Sequence, residues 1–212
     1  MAVIPAHDRQ QGAALLIMLL LLVLGGAVLF SRNISGQLAS ASLATRNAAA
    51  LADAKEALLG YIVTRDATYP GKYGFLPCPD INATGSTAEG DAHETNCGAR
   101  YRNMLGRFPW RTLGLEPGRS KGSECLWYAV SGSWKAAGAN EPQLLNTDSS
   151  GQFRVLAADG STLIAGSTAG ERPVAVIIAP GPPIAGQIRA TAGSGVEQCG
   201  GSFVANRYLE NH

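Results

Sequence analysis

Residues Gly12 to Ser31 read GAALLIMLLLLVLGGAVLFS, twenty consecutive positions without a charge near the start of a chain of 212. At ~1.5 Å of rise per residue a helix of that length covers roughly 30 Å, the thickness of a bilayer's hydrocarbon core. The run therefore predicts a single N-terminal membrane anchor, with everything after it outside the bilayer. The segment before it, MAVIPAHDRQQG, is short and polar, with no apolar residue between Ala6 and Ala13. A secretory signal would carry a shorter apolar stretch ending at a small-residue cleavage site. Here the apolar block is long, and the natural processing point is Gly12 in front of it.

This arrangement resembles the class III signal of type IV prepilins and type II secretion pseudopilins. The resemblance implies that a prepilin peptidase cuts between Gly12 and Ala13 on the cytoplasmic side and methylates the new N-terminus. Where that family usually has Phe first and Glu fifth in the mature chain, this sequence has Ala13 and Ile17. The family's glutamate neutralises the amino terminus of the subunit ahead in a filament. A subunit without that carboxylate escapes the cost of an unpaired buried charge only where nothing sits ahead of it, which points Ile17 toward a place at the tip.

Over the whole chain, 46% hydrophobic and 16% charged residues describe a globular rather than a disordered protein, with length for one modest domain beyond the anchor, and a net charge of +1 gives no bulk attraction to nucleic acid or acidic lipid. Charges flanking the run are nearly balanced, Arg9 against Arg32, so orientation rests on the resemblance. From Ala6 to Tyr69 no proline intervenes, and Ile34, Leu38, Ala41, Ala48, Leu51 or Ala52, Lys55, Leu58 or Leu59 and Ile62 recur at helical intervals. One helix from about Ala13 to Arg65 is predicted, stopped by Tyr69-Pro70-Gly71. Short β-type runs follow at Leu126–Val130, Phe153–Ala157, Thr162–Ala165 and Val174–Ala179, separated by turn signals. They predict an antiparallel sheet of three to five strands packed on the second half of the helix, an α+β fold. The predicted organisation is a leader over 1–12, a transmembrane half-helix over 13–31, an extracytoplasmic half over 32–66 and a disulfide-stabilised head over 67–212.

Cys78, Cys97, Cys125 and Cys199 all follow the anchor, and no two form a Cys-x-x-Cys pair. An even count in an exported domain reads as disulfides. Of three pairings, Cys78–Cys97 with Cys125–Cys199 is favoured, because the first closes a Gly/Thr/Asn-rich loop that could not order itself.

The phrases ALLGYIV, GFLPCPD (74–80), GRFPWRTLGL (106–115), LWYAVSGSW (126–134) and VAVIIAPGPPIAGQ (174–187), in that order, are similar to a group of pilin-like bacterial proteins. That resemblance implies a pilin-like fold and, as partners, other pilin or pseudopilin subunits, the prepilin peptidase, an inner-membrane assembly platform and the lipid bilayer. It implies a single-pass inner-membrane protein with a periplasmic head, assembled into a filament, and leaves room for a further C-terminal strand beyond His212.

Catalytic signatures are sparse. Beyond the anchor the histidines are His93, in the loop from Asn82 to Thr95, and His212, and a Ser-His-Asp triad needs one of them. Thr168 stands where a G-x-S-x-G elbow requires serine, and Ser131 and Lys135 miss the S-x-x-K spacing. A deep pocket around His93 is the feature that would favour an enzyme; without it the chain reads as non-enzymatic and without a cofactor. Asp80, Asn82, Glu89, Asp91 and Glu94 set five oxygen-bearing side chains in one loop, with Asp80, Asn82 and Asp91 the candidates for Ca²⁺. No D-x-D-x-D-G order is present, so solvated loop acids are the preferred reading. Arg100, Tyr101, Arg102, Arg107, Phe108, Trp110 and Arg111 interleave base and aromatic as single-strand stacking platforms do, making the four arginines candidate nucleic-acid contacts. Aromatics beside Pro109 are more often core. The resulting reading is a minor pilin or pseudopilin; the second is an anchored adhesin or DNA-binding head, the third an anchored hydrolase.

Overall fold

The computed structural model describes residues 8–68, 74–82, 86–94, 97–99, 101–117, 124–135, 145–157, 159–189 and 199–209, and within the first stretch it describes the side chains of 14–26, 41–65 and 67. A helix, α1, runs through Asp8–Thr68, longer at both ends than the periodicity predicts. The chain divides into two compact units, Met1–Thr45 and Arg46–His212. In the first unit the apolar side chains from Leu15 to Leu24 all stand exposed. Among the described residues no helix is long and apolar enough to cross a membrane, and part of the twenty-residue run lies outside the described side chains.

The second unit holds the C-terminal part of α1 and five strands: β1 Met104–Arg107, β2 Trp127–Val130, β3 Val155–Leu156, β4 Leu163–Ala165 and β5 Ala175–Ile178. β2 lies between β1 and β5, antiparallel to both, with Arg107 opposite Trp127 and Tyr128 opposite Ile177. The fold is therefore α+β with a small antiparallel sheet. β3 and β4 pair only with each other, so the five strands form a three-stranded sheet and a separate hairpin rather than one sheet. Three of the predicted runs contain β2, β4 and β5; Phe153–Ala157 contracts to the two residues of β3. β1 was hidden in the sequence because Gly106 and Arg107 break its apolar pattern.

Side chains alternate across a strand, so β2 presents Tyr128 and Val130 to one face and Trp127 to the other. The first face meets α1. Ala54 and Leu58 are buried there with Leu76, Phe108, Leu126, Tyr128 and Val130, and Ala50, Leu51, Ile62, Ala175 and Ile177 pack around them. The stripe on α1 thus runs through Leu51, Ala54, Leu58, Ile62 and Arg65, where the sequence pattern placed Ala52 or Leu51, Lys55 and Leu59 or Leu58; Ala52, Lys55 and Leu59 are exposed. A small Ala54 lets the helix approach the sheet, and a lysine has no reason to face it. Phe108 and Tyr128 meet edge to face at 5.8 Å.

Both disulfides are Cys78–Cys97 and Cys125–Cys199, as the favoured pairing has it, with Cα separations of 5.7 and 5.2 Å. The segment around the first lies against β1. Asp80 and Arg107 exchange backbone hydrogen bonds at 2.9 and 2.8 Å. A Cβ on Gly106 would stand 2.7 Å from the Asp80 carbonyl oxygen, so only glycine lets the two segments come this close.

The hairpin turn is held by Asp159, which accepts hydrogen bonds from the Thr162 hydroxyl and from the N–H groups of Ser161 and Thr162. Those bonds, the hydroxyl's first, lower its pKa from 3.8 to about 2. A depressed carboxylate contributes stability above the unfolded value and loses it as pH falls through the folded one. The turn should therefore hold at pH 4 and loosen on acidification from 3.8 toward about 2. The Thr162 amide resonance should titrate near the lower value in NMR, and Asp159→Asn should abolish that titration; a midpoint at 3.8 would contradict it.

Candidate functional site

Three groups of side chains in the second unit bear on function: the loop beside Asp80, an open pocket next to it, and a buried cation on the far face of β2.

Asp80 is fully buried and accepts hydrogen bonds from the Asn82 N–H and side-chain amide, both at 2.8 Å, and from the Gly90 N–H at 2.7 Å. Burial raises its pKa, and the bonds from Gly90 and Asn82 pull the other way. The Asn82 amide also donates to the Ala88 and Asp91 carbonyl oxygens. Each further acid of the Ca²⁺ candidate set has a protein partner. Glu89, buried, accepts from the Cys199 N–H. Asp91 pairs with Arg111 at 3.2 Å. Glu94 takes a two-pronged hydrogen bond from the Arg65 guanidinium, at 2.8 and 3.0 Å, and a third from the Tyr61 hydroxyl at 2.7 Å. Asp80, Asn82 and Asp91 thus do not converge as a Ca²⁺ shell: their polar atoms fold the loop. Among the described residues no three His, Cys, Asp or Glu side chains are grouped to hold a metal ion.

The pocket has a volume of about 650 Å³ and is lined by Tyr61, Thr64 and Arg65 from the last turns of α1, by Asn82 and residues 88 and 91–94 of the loop, and by Thr112. His93 lines it, as a hydrolase would require. Its buried Nδ1 has no hydrogen-bond partner, and its main-chain N–H donates to the Pro79 carbonyl oxygen. The hydroxyls nearby are otherwise engaged: Thr64 donates to the Gly60 carbonyl oxygen at 2.8 Å, Tyr61 donates to Glu94, and Thr112 accepts from the Ala92 N–H at 2.7 Å. Among the described residues no hydroxyl is hydrogen-bonded to His93, so none of them forms a nucleophile–base pair with it.

On the other face of β2, Arg107 is fully buried. It donates to the carbonyl oxygens of Cys125 at 2.7 Å, Ser202 at 2.7 Å and Gly200 at 3.2 Å, and to the Tyr208 hydroxyl at 3.1 Å. Its Cζ stands 4.6 to 5.3 Å from the ring centroids of Trp127, Tyr208 and Phe203. Tyr208 donates in turn to Glu124, which pairs with Arg189 at 3.4 Å. Burial lowers the Arg107 pKa, opposed by Tyr208, Glu124 and Glu89.

This rewrites the basic and aromatic stretch. Arg107 is unavailable to a nucleic acid because its guanidinium is spent inside the head, and Phe108 and Trp110 are buried as well. Arg102 and Arg111 are exposed, Tyr101 is exposed at a positive φ of 68°, and Arg100 lies outside the described residues. Lys135 is buried with its Nζ donating to the Cys97 carbonyl oxygen, and Ser131 is buried, so neither faces a substrate. Gly12 and Ala13 fall within α1, and their surroundings, like His212, lie outside the described residues; Ile17 is exposed. Sequence reasoning missed the buried set of Arg107, Glu124, Arg189 and Tyr208. Its one legible sign was an arginine followed by Phe108 and Trp110, since the partners at 200–208 are remote in the chain.

Compared with known proteins, the chain matches no family profile, no curated protein and no solved structure.

Proposed function

We propose that this protein is a non-enzymatic structural subunit of the minor pilin or pseudopilin kind, anchored by residues 13–31 in a bacterial inner membrane and assembled into a periplasmic or surface filament. One observation carries the reading: α1 carries a run of exposed apolar side chains from Leu15 to Leu24 and extends to Thr68, and its last turns are part of the core of a small, disulfide-tied antiparallel head. Ten exposed apolar side chains in succession, Leu15 to Leu24, have to be covered by lipid or by like helices, which is what an assembling subunit supplies. Among the described residues no hydroxyl bonds His93, which gives hydrolysis no support, and the burial of Arg107 weakens the DNA-binding alternative. Partners on this reading are other subunits, the prepilin peptidase and the assembly platform.

Mass analysis of membrane-extracted protein should find a methylated chain starting at Ala13, and Gly12→Ala should leave the leader in place. In sheared filaments, analysed by quantitative mass spectrometry, the protein should be scarce beside a major subunit, as Ile17 in place of a carboxylate implies for a tip position. A different start, or normal maturation of the variant, would overturn the reading; equal stoichiometry along the shaft would overturn the tip position alone.

A further inference from the structure

β5 stands at the edge of the three-stranded sheet, and one bond shows which way its main-chain groups point. The Ser131 N–H donates to the Val174 carbonyl oxygen at 2.9 Å, so the polar groups of Val174 face β2. In an antiparallel ladder these groups alternate along a strand, so Val176 and Ile178 also face β2, opposite Ala129 and Trp127. The N–H and C=O groups of Ala175, Ile177 and Ala179 therefore point away from the sheet. Among the described residues those groups have no hydrogen-bond partner. Every residue from Ala175 to Ala179 is half-buried and none is enclosed.

The other strands offer no such edge. The outer side of β1 is closed at Arg107 by the Asp80 segment, which exchanges main-chain hydrogen bonds with it. β3 and β4 are only two and three residues long, with a register shift between them. Very short strands, irregular register, charge and internal proline are means by which folds block edge pairing. β5 is as long as β1 and β2, its register with β2 is regular, and Val174 to Ala179 carries neither charge nor proline.

A free ladder edge selects its occupant by main-chain complementarity. Only an extended polypeptide repeats N–H and C=O groups at the spacing of alternate strand residues, roughly 6.8 Å. The side chains it needs follow from the rows it would join. On one face it would lie beside Ala175, Ile177 and Ala179, which pack against the core, and on the other beside Val176 and Ile178. Both rows are aliphatic, so a charge on the added strand would lose water and gain no partner, whereas β-branched and aromatic residues pair well there. We propose that the outer edge of β5 accepts an extended, uncharged, apolar strand from a partner protein, which lengthens the sheet by one strand. Every residue used belongs to the second unit, so the proposal goes beyond the filament reading and stands or fails apart from it.

The test is amide hydrogen exchange by NMR on the full-length protein in detergent micelles, with and without a peptide that copies Leu126–Ser131 and carries a lysine pair at each end. β5 already accepts this sequence on its inner side. In the protein alone the Val176 and Ile178 amides should be protected, and those of Ala175, Ile177 and Ala179 should exchange at least about tenfold faster. Peptide should slow the second set about tenfold or more, with a Kd of about 0.1 to 1 mM. N-methylation of alternate peptide residues should abolish binding for the set that faces β5 and spare it for the other set, a distinction that adhesion to an apolar patch would not make. Ala175→Pro with Ala179→Pro removes outward donors while sparing those that face β2, and should weaken binding about tenfold or more. The N-methylated peptides carry the test should that variant fail to fold. Protection of Ala175, Ile177 and Ala179 in the protein alone at every concentration would mean that the chain covers its own edge, and would overturn the proposal. Protection that grows with protein concentration would give the edge to a second copy and overturn it as well. So would no protection at up to about 5 mM peptide, or equal binding of the two N-methylated peptides.

Discussion

Reducing both disulfides is expected to unfold the head. In the chain-entropy account Cys125–Cys199, with a sequence separation of 74, contributes about 4.5 kcal/mol, and Cys78–Cys97, with a separation of 19, about 3 kcal/mol. The two closed loops do not overlap in sequence, so the contributions add to a first approximation. Their sum is comparable to the roughly 5 to 15 kcal/mol of net stability a domain has. A sheet of three strands, none longer than four residues, has little else with which to compensate. Thermal melts followed by circular dichroism should show a cooperative transition in the oxidised protein and none above room temperature under reductant. Cys125→Ala with Cys199→Ala should cost more than Cys78→Ala with Cys97→Ala. Equal melting points with and without reductant, or four titratable thiols in the native protein, would contradict this.

Arg107→Met is expected to be nearly as damaging, by about 3 to 5 kcal/mol, although the new side chain is apolar and of similar length. The guanidinium is the donor for three main-chain carbonyl groups, buried at Cys125 and Ser202 and half-buried at Gly200, and methionine leaves these oxygens without it. For a domain of this size the loss corresponds to a fall in Tm of roughly 10 to 15 °C. Arg107→Lys keeps the charge but not the planar fork, so it should recover only part of that stability. Arg111→Ala, which breaks a pair whose side chains are 37% and 42% exposed, should change stability by less than about 1 kcal/mol. Melts of the four oxidised proteins decide the matter. An Arg107→Met protein as stable as the wild type would show that the C-terminal segment is not held through this residue.

The two predictions meet at residues 199–209. Cys199 is bonded to Cys125, its N–H donates to the buried Glu89, Gly200 and Ser202 receive Arg107, and Tyr208 joins Arg107 to Glu124. The last described stretch of the chain is thus fastened at four points to strands and loops formed much earlier, so loss of either the crosslink or the cation should release it. Amide exchange at Ser202 and Val204 would report that release directly, because their N–H groups bond within the same segment.

Much of the fold was legible in local sequence, and the reason is periodicity. Sixty residues without proline and with alanine and leucine at helical spacing can do little but form α1, and β-branched runs such as Val174–Ala179 between Pro173 and Pro180 can do little but form a strand. The pairing of the cysteines was reachable too, because a short polar loop needs a local crosslink. Three decisions belonged to the tertiary structure. β1 exists because β2 and the Asp80 segment supply its partners on both sides, which MLGR does not announce by itself. Arg107, which reads in the sequence as a surface base, is interior because six residues more than fifteen positions away, Cys125, Trp127, Gly200, Ser202, Phe203 and Tyr208, converge on it. The pocket forms where the end of α1 meets a loop that no periodicity describes, so that His93, one histidine in a polar stretch, acquires a buried and unpartnered nitrogen. Local propensity follows from neighbours in the chain; the charge state, burial and use of a polar side chain follow from groups the chain brings to it only on folding.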